Sequence, residues 1–248
     1  MAASDLRLET MTDRAEIAPA IDALAQLRIR VFRDWPYLYD GSVDYETRYL
    51  SAFAASDGAI LVAAYDGDAM VGASTGLPMA HEHADFSAPL AKAGYDPDRV
   101  FYCAESVLLP ESRGRGAYRA FFERREAHAR ALGFATAVFC GVLRPDDHPA
   151  RPDGYAPLDP IWRRFGYQPL DGAVARYSWT DVGDSEARTT RFSMFCAFQQ
   201  MPAEPHMCVA PHWPGTCRHL PEYPNPNPNP NPNHGQLTMG ILTTALTW

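Results

Sequence analysis

Leu6, Leu8 and Thr10 alternate with polar residues, the period of a strand with one buried face. After Thr12 and Asp13, either of which can cap a helix, the period changes. Ile17, Ile21, Leu24, Leu27, Ile29, Val31 and Phe32 recur at helical spacing and predict a helix over 14–32. Pro36 and Gly41 break the pattern within "DWPYLYDG" at 34–41, and Tyr45, Tyr49, Leu50 and Phe53 resume it as a second helix. Two apolar runs, 59–65 and 69–77, flank the turn Asp66-Gly67-Asp68 and read as a hairpin. Residues 81–98 are polar and interrupted by Pro89 and Pro97, an insertion with one short helix. Residues 100–109 form a buried strand, and a loop leads into a helix over 117–132 with Tyr118, Phe121, Phe122, Ala129 and Leu132 on its buried face. Gly133 ends that helix. A second buried strand follows at 135–142, then a proline-rich loop at 144–157 and a short helix at 159–164 stopped by Gly166. The last strands are expected at 167–169 and 173–179. Strands and helices in this order predict an α/β (α+β) domain, a mixed sheet with helices on its faces.

The pattern stops near Glu186. Residues 187–248 hold ten prolines and only two acidic residues, and 224–233 is five Pro-Asn pairs that cannot build a core. This predicts one domain over 1–185 and a low-complexity tail over 186–248, disordered or foreign to the fold, as from an altered terminus or a shifted reading frame. His206, Cys208, His212, Cys217 and His219 lack the spacing of a zinc site, and no metal is expected.

Composition narrows the function classes. A formal charge of −8 argues against nucleic acid as a partner. No apolar run approaches the ~20 residues of a membrane span, and the first ten residues lack a signal-peptide layout. A soluble, cytoplasmic protein is expected, with no membrane partner. Five cysteines, an odd number, fit reduced thiols better than a disulfide framework.

The distinctive chemistry lies in "LPESRGRGAYRAFFERREAHA" at 109–129. The first turn of a helix leaves backbone N–H groups unpaired, and glycines let a ligand approach them. A strand, then Arg113-Gly114-Arg115-Gly116, then a helix is the layout of a diphosphate cradle. No Gly-Lys-Ser/Thr follows, so it is not a Walker loop, and the glycine spacing fails the dinucleotide fingerprint. A solvated turn is the bland alternative.

Arg113-x-x-Gly116 after a buried strand, and "IWRRFGYQP" at 161–169, resemble two landmarks of the GNAT superfamily of acetyl-CoA-dependent N-acyltransferases. Element order agrees from residue 5 to about 180. The resemblance implies a mostly antiparallel mixed sheet with a V-shaped splay between the fourth and fifth strands. It implies acetyl-CoA as co-substrate, its diphosphate on the amides of Arg113, Gly114, Arg115, Gly116, Ala117 and Tyr118, and its pantetheine arm along the strand at Leu108 and Leu109. The acceptor would be an amine of a small molecule or peptide, and a homodimer is compatible. Two positions depart from the family pattern. Tyr118 stands where the family has Gly or Ala, and Trp162 where many members carry a tyrosine that protonates the leaving thiolate. An indole has no usable acidity, so that role does not carry over.

An amine acceptor must lose a proton, which calls for a base. Glu105 interrupts the apolar strand "VFYCAESVLL" and is the expected base; the alternative is a structural glutamate paired to an arginine such as Arg176. Tyr155 is the candidate acid or substrate contact. Tyr37, Tyr39 and Asp40, between the first two helices, are candidate substrate contacts, a surface aromatic turn being the alternative. Cys140 reads as a buried, inert thiol. The other class in view is a non-catalytic acyl-CoA-binding module.

Overall fold

The structure is a computed structural model and describes residues 5–198. Its strands are β1 (Arg7–Met11), β2 (Ile60–Asp66), β3 (Ala69–Pro78), β4 (Val100–Leu108), β5 (Thr136–Leu143), β6 (Tyr167–Thr180) and β7 (Ala187–Phe198). The helices are α1 (Arg14–Ile17), α2 (Ile21–Phe32), α3 (Val43–Ala54), α4 (Ala84–Lys92), α5 (Ala117–Ala131) and α6 (Asp159–Arg164). One sheet runs β1-β2-β3-β4-β5-β7-β6, antiparallel except where β4 meets β5. The expected mixed sheet with helices on both faces is present. The helix expected over 14–32 is divided, because Pro19 lies in a 3₁₀ turn at Ala18–Ala20. No described helix is long and apolar enough to cross a membrane.

The larger correction concerns the end of the sheet. The boundary expected at residue 185 falls just before β7, which pairs with β5 from Thr136↔Phe198 to Leu143↔Arg191 and with β6 on its other side. Phe192, Met194 and Cys196 are fully buried and Phe195 and Ala197 nearly so, which makes β7 a central strand. Read as one block, residues 187–248 are dominated by their prolines; the twelve residues of β7 contain none. The two strands expected at 167–169 and 173–179 are one, β6, with an irregularity between Pro169 and Val174. The rest of the tail, including the cysteines and histidines weighed for zinc, lies outside the described residues. Cys103, Cys140 and Cys196 are free and buried.

Two features of β4 shape the site. Its register with β3 moves from Thr75↔Glu105 to Leu77↔Tyr102, so three steps on β4 answer two on β3: a bulge. Before the bulge, Phe101 faces α5, where its ring meets His128. After it, Leu108 stands beside Gly72 and Phe121 of α5, so Glu105 points to the opposite face, under α2. An unbroken alternation from Phe101 would have put Glu105 under α5. The second feature is the contact with β5, paired only from Val100↔Thr136 to Tyr102↔Val138. Beyond Tyr102 the two strands part, which is the expected splay.

Candidate acyl-transfer site

The cradle begins where β4 ends. Leu108 and Leu109 are buried, and the Leu109 amide donates to the Val71 carbonyl at 2.9 Å, on the β3 side of the chain. The edge of β4 toward β5 carries no strand pairing beyond Tyr102 among the described residues. Pro110–Ser112 form a 3₁₀ turn, and the chain then passes Gly114 and Gly116 at φ 74° and 84°. Only glycine adopts this left-handed region without strain. A Cβ at either position would meet nothing within 4 Å, so the space over the loop is open. Gly116 caps α5 with no side-chain hydrogen bond, which leaves the first-turn amides of a 15-residue helix without a side-chain partner. These features fit an anionic diphosphate.

The two arginines of the loop differ. Arg113 is half-buried, and burial lowers its pKa, opposed by Asp34 and Glu111. Arg115 reaches back to Asp66 in the β2–β3 turn at 2.7 Å, and that hydrogen bond lowers the Asp66 pKa. It is neither solvent-facing nor aimed at the open space, and would have to share its charge with a phosphate.

The two departures from the family pattern meet each other. The Trp162 indole N–H donates to the Tyr118 hydroxyl at 2.8 Å. The Tyr118 ring packs on Phe122 and Phe165, away from the open loop, so it does not fill the cradle. Trp162 lies over Gly141 of β5, where a Cβ would come within 3.0 Å of the indole. Burial pushes the Tyr118 phenol well above its usual range, with the indole hydrogen bond opposing.

On the α2 face, Glu105 is fully buried and ion-paired to Arg28 of α2, not to Arg176, which is exposed on β6. Arg28 also pairs with Glu46 of α3, and its guanidinium lies 4.8 Å from the ring centre of Tyr49 and 5.1 Å from that of Phe32. Burial works against the Arg28 charge, but Glu46 and the nearby phenols outweigh it and raise its pKa. Oε1 of Glu105 and the hydroxyl of the fully buried Tyr37 have no hydrogen-bond partner. Tyr39 is buried, and burial, with the Glu46 carboxylate nearby, pushes its phenol well above the usual range. Asp40 is exposed and pairs with Arg33 at 2.8 Å. Tyr37 and Tyr39 are therefore part of this face and not a surface turn, while Asp40 stands outside it. Tyr155 is half-buried, with its ring edge-on to Trp35 at 5.8 Å, and burial raises its pKa.

Glu82 has no catalytic role in the sequence reading, which places it in the polar insertion at 81–98. It follows the 3₁₀ turn Met79–His81 after β3, and is half-buried. Burial pushes its carboxyl up to about 8, opposed by the His83 amide and Arg28. Its charge bears on Tyr45, Tyr49, Tyr177 and Cys140, which places it on the face that holds Arg28. Its own stretch, 81–98, reads as a polar insertion, and only the fold sets it near the tyrosines of α3 and β6. Among the described residues no group of three or more His, Cys, Asp or Glu is placed to hold a metal.

No model of a known protein family matches the sequence, and no curated protein matches it. Solved structures do match the fold. The ribosomal-protein-alanine N-acetyltransferase of Brucella melitensis superposes with a TM-score of 0.52 at 12% identity, over 78% of this chain and 100% of that one. The polyamine N-acetyltransferase of Drosophila melanogaster does so at 0.51 and 12%, over the same shares. At such identity the likeness is one of fold: the chain has the fold of the GNAT acetyltransferases.

Proposed function

We propose that the protein transfers an acetyl group from acetyl-CoA to an amine by direct attack, in the cytoplasm. One observation carries the reading: a helix N-terminus with two left-handed glycines and no side-chain cap opens beside the unpaired edge of β4, where the sheet splits. In this reading the amides from Arg113 to Tyr118 hold the diphosphate, with Arg113 adding charge. The β4 edge near Leu108 and Leu109 hydrogen-bonds the pantetheine arm.

The amine nitrogen bonds to the acetyl carbon and the C–S bond breaks. The nitrogen gives up a proton, and the departing thiolate takes one. Glu105, the base expected from sequence, is paired to Arg28, and a guanidinium partner stabilises the charged carboxylate and weakens it as a base. Glu82, with a pKa of about 8, is better matched to proton removal near neutral pH. We therefore give proton removal to Glu82 and keep Glu105 as the carboxylate that holds the amine. Tyr155 is the proposed proton donor to the thiolate; its charge bears on Tyr37 across the same face.

Titration calorimetry with millimolar acetyl-CoA, and thiol release with a panel of amines, test the reading. Gly116→Val is expected to weaken acetyl-CoA binding at least ~10-fold, because it fills the approach to the first-turn amides. It should cost only about 1–3 kcal/mol of stability from backbone strain. No heat with the unaltered protein, or unchanged affinity in the variant, would end the proposal. Tight binding with no amine consumed would favour a non-catalytic acyl-CoA-binding module.

A further inference from the structure

Resting on the acetyltransferase reading, we propose that the acceptor is a cationic alkylamine without a carboxylate near its amine, held as an ammonium by Glu105 and Glu46 on the α2 face of the sheet, beside the proton acceptor Glu82. The charge count there is unbalanced. Arg28, Glu46 and Glu105 are each at most 1% exposed, and one guanidinium serves two carboxylates. Glu82 adds a carboxyl beside the same arginine, one that burial keeps protonated up to about pH 8, so the imbalance is that of Glu46 and Glu105 against Arg28. Arg28 is the cation whose field reaches Tyr39, Tyr45, Tyr49 and Glu82.

Buried carboxylates short of counter-charge are costly, and so is a buried acceptor atom with no donor. Glu105 has both defects: Oε2 is on Arg28, and Oε1 faces no donor. The hydroxyl of Tyr37 is likewise buried and unpartnered. An alkylammonium brings one positive charge and three N–H donors, the two things this cluster lacks. The tyrosine rings around Arg28 already accommodate one cation, and an aromatic face suits a second.

The position fits as well. Tyr102, the last residue of β4 paired to β5, hydrogen-bonds Cys140 on β5, and Glu82 and Tyr37 both act on or are acted on by that thiol. The carboxylates therefore border the splay at which an acetyl group would be presented. Glu82 and the pair Tyr45 and Tyr177, whose hydroxyls meet at 3.2 Å, are the half-buried members of this face. An acceptor bearing its own carboxylate would set like charges together, and an arylamine, uncharged at neutral pH, would leave the imbalance in place.

The test compares 1,4-diaminobutane and n-butylamine with leucine, glutamate and aniline at pH 7.5, using the full chain and saturating acetyl-CoA. The alkylamines are expected to exceed the other three by at least ~100-fold in kcat/KM. Glu105→Gln should raise the alkylamine KM at least ~10-fold and Glu82→Gln should lower the alkylamine kcat at least ~10-fold, while calorimetry finds acetyl-CoA affinity within ~2-fold of the parent. If Glu105→Gln fails to fold, the amine panel and Glu82→Gln still decide. Turnover favouring aniline, leucine or glutamate overturns the inference and leaves the acetyltransferase reading standing. Absence of acetyl-CoA binding removes that reading and the inference with it.

Discussion

Two arginines, each 1% exposed, meet the sheet at Glu105 from opposite faces. Arg125 of α5 donates to the Glu105 carbonyl at 2.7 Å, the Thr75 carbonyl at 3.2 Å and the Phe121 carbonyl at 3.3 Å. Its guanidinium lies 4.9 Å from the centre of the Phe122 ring. Every one of these partners is main chain or aromatic. Arg28 meets the side chain of the same glutamate and that of Glu46. Each charge has its own task. At the bulge, β4 loses its regular ladder with β3, and carbonyls there need donors that the strand cannot give. Arg125 supplies them, so its work is done within the fold. Arg28 faces carboxylates with capacity left over, and its side of the sheet is complete only with another donor.

The comparison is most exposed to removal of the charge on the α2 face. Arg28→Met leaves Glu46 and Glu105 buried without a counter-charge and should cost about 3–5 kcal/mol in urea unfolding. Adding Glu46→Gln and Glu105→Gln to it should restore much of that loss. If the triple variant is no more stable than the single one, the ion cluster is not what holds α2 and α3 to β4. Arg125→Met comes next, at about 1–3 kcal/mol for carbonyls left without donors. The same glutamine changes should not rescue it, since its partners are carbonyls.

A third test is a slope with pH. The Glu82 carboxyl is pushed up to about 8 by burial, against about 4.3 in an unfolded chain. Between those values the folded protein holds a proton that the unfolded chain has released. Stability contributed at this site is therefore largest below about pH 4.3, falls as pH rises, and levels off above about 8. Glu82→Gln should flatten that part of the stability profile, read by thermal or urea unfolding at several pH values. An unchanged slope would mean that Glu82 is better solvated than its position under α3 and β6 implies.

Much of this was legible along the chain. The β2–β3 hairpin, the buried β4 and β5, and the glycine loop into α5 are each set by contiguous residues, so local periodicity and turn chemistry report them. The failures have a common cause. β7 was hidden because its composition was averaged with the Pro-Asn run behind it, although Phe192, Met194 and Cys196 alternate on one buried face. Arg176 was the suggested partner of Glu105, but exposure on β6 keeps it away, and the true partner lies 77 positions upstream in α2. Glu82 looked like a loop residue because no pattern in its own stretch says that α3 and β6 close over it.

The strand-to-helix junction can be read from the chain alone, since two glycines and an uncapped helix start are properties of neighbouring residues. Which carboxylates face one another depends on how distant segments pack. One extra residue in β4 turns Glu105 from the α5 face to the α2 face, and the packing of α2 on α3 brings Arg28 and Glu46 to meet it. A side chain's face depends on register, and register is a relation between strands that neither strand carries alone.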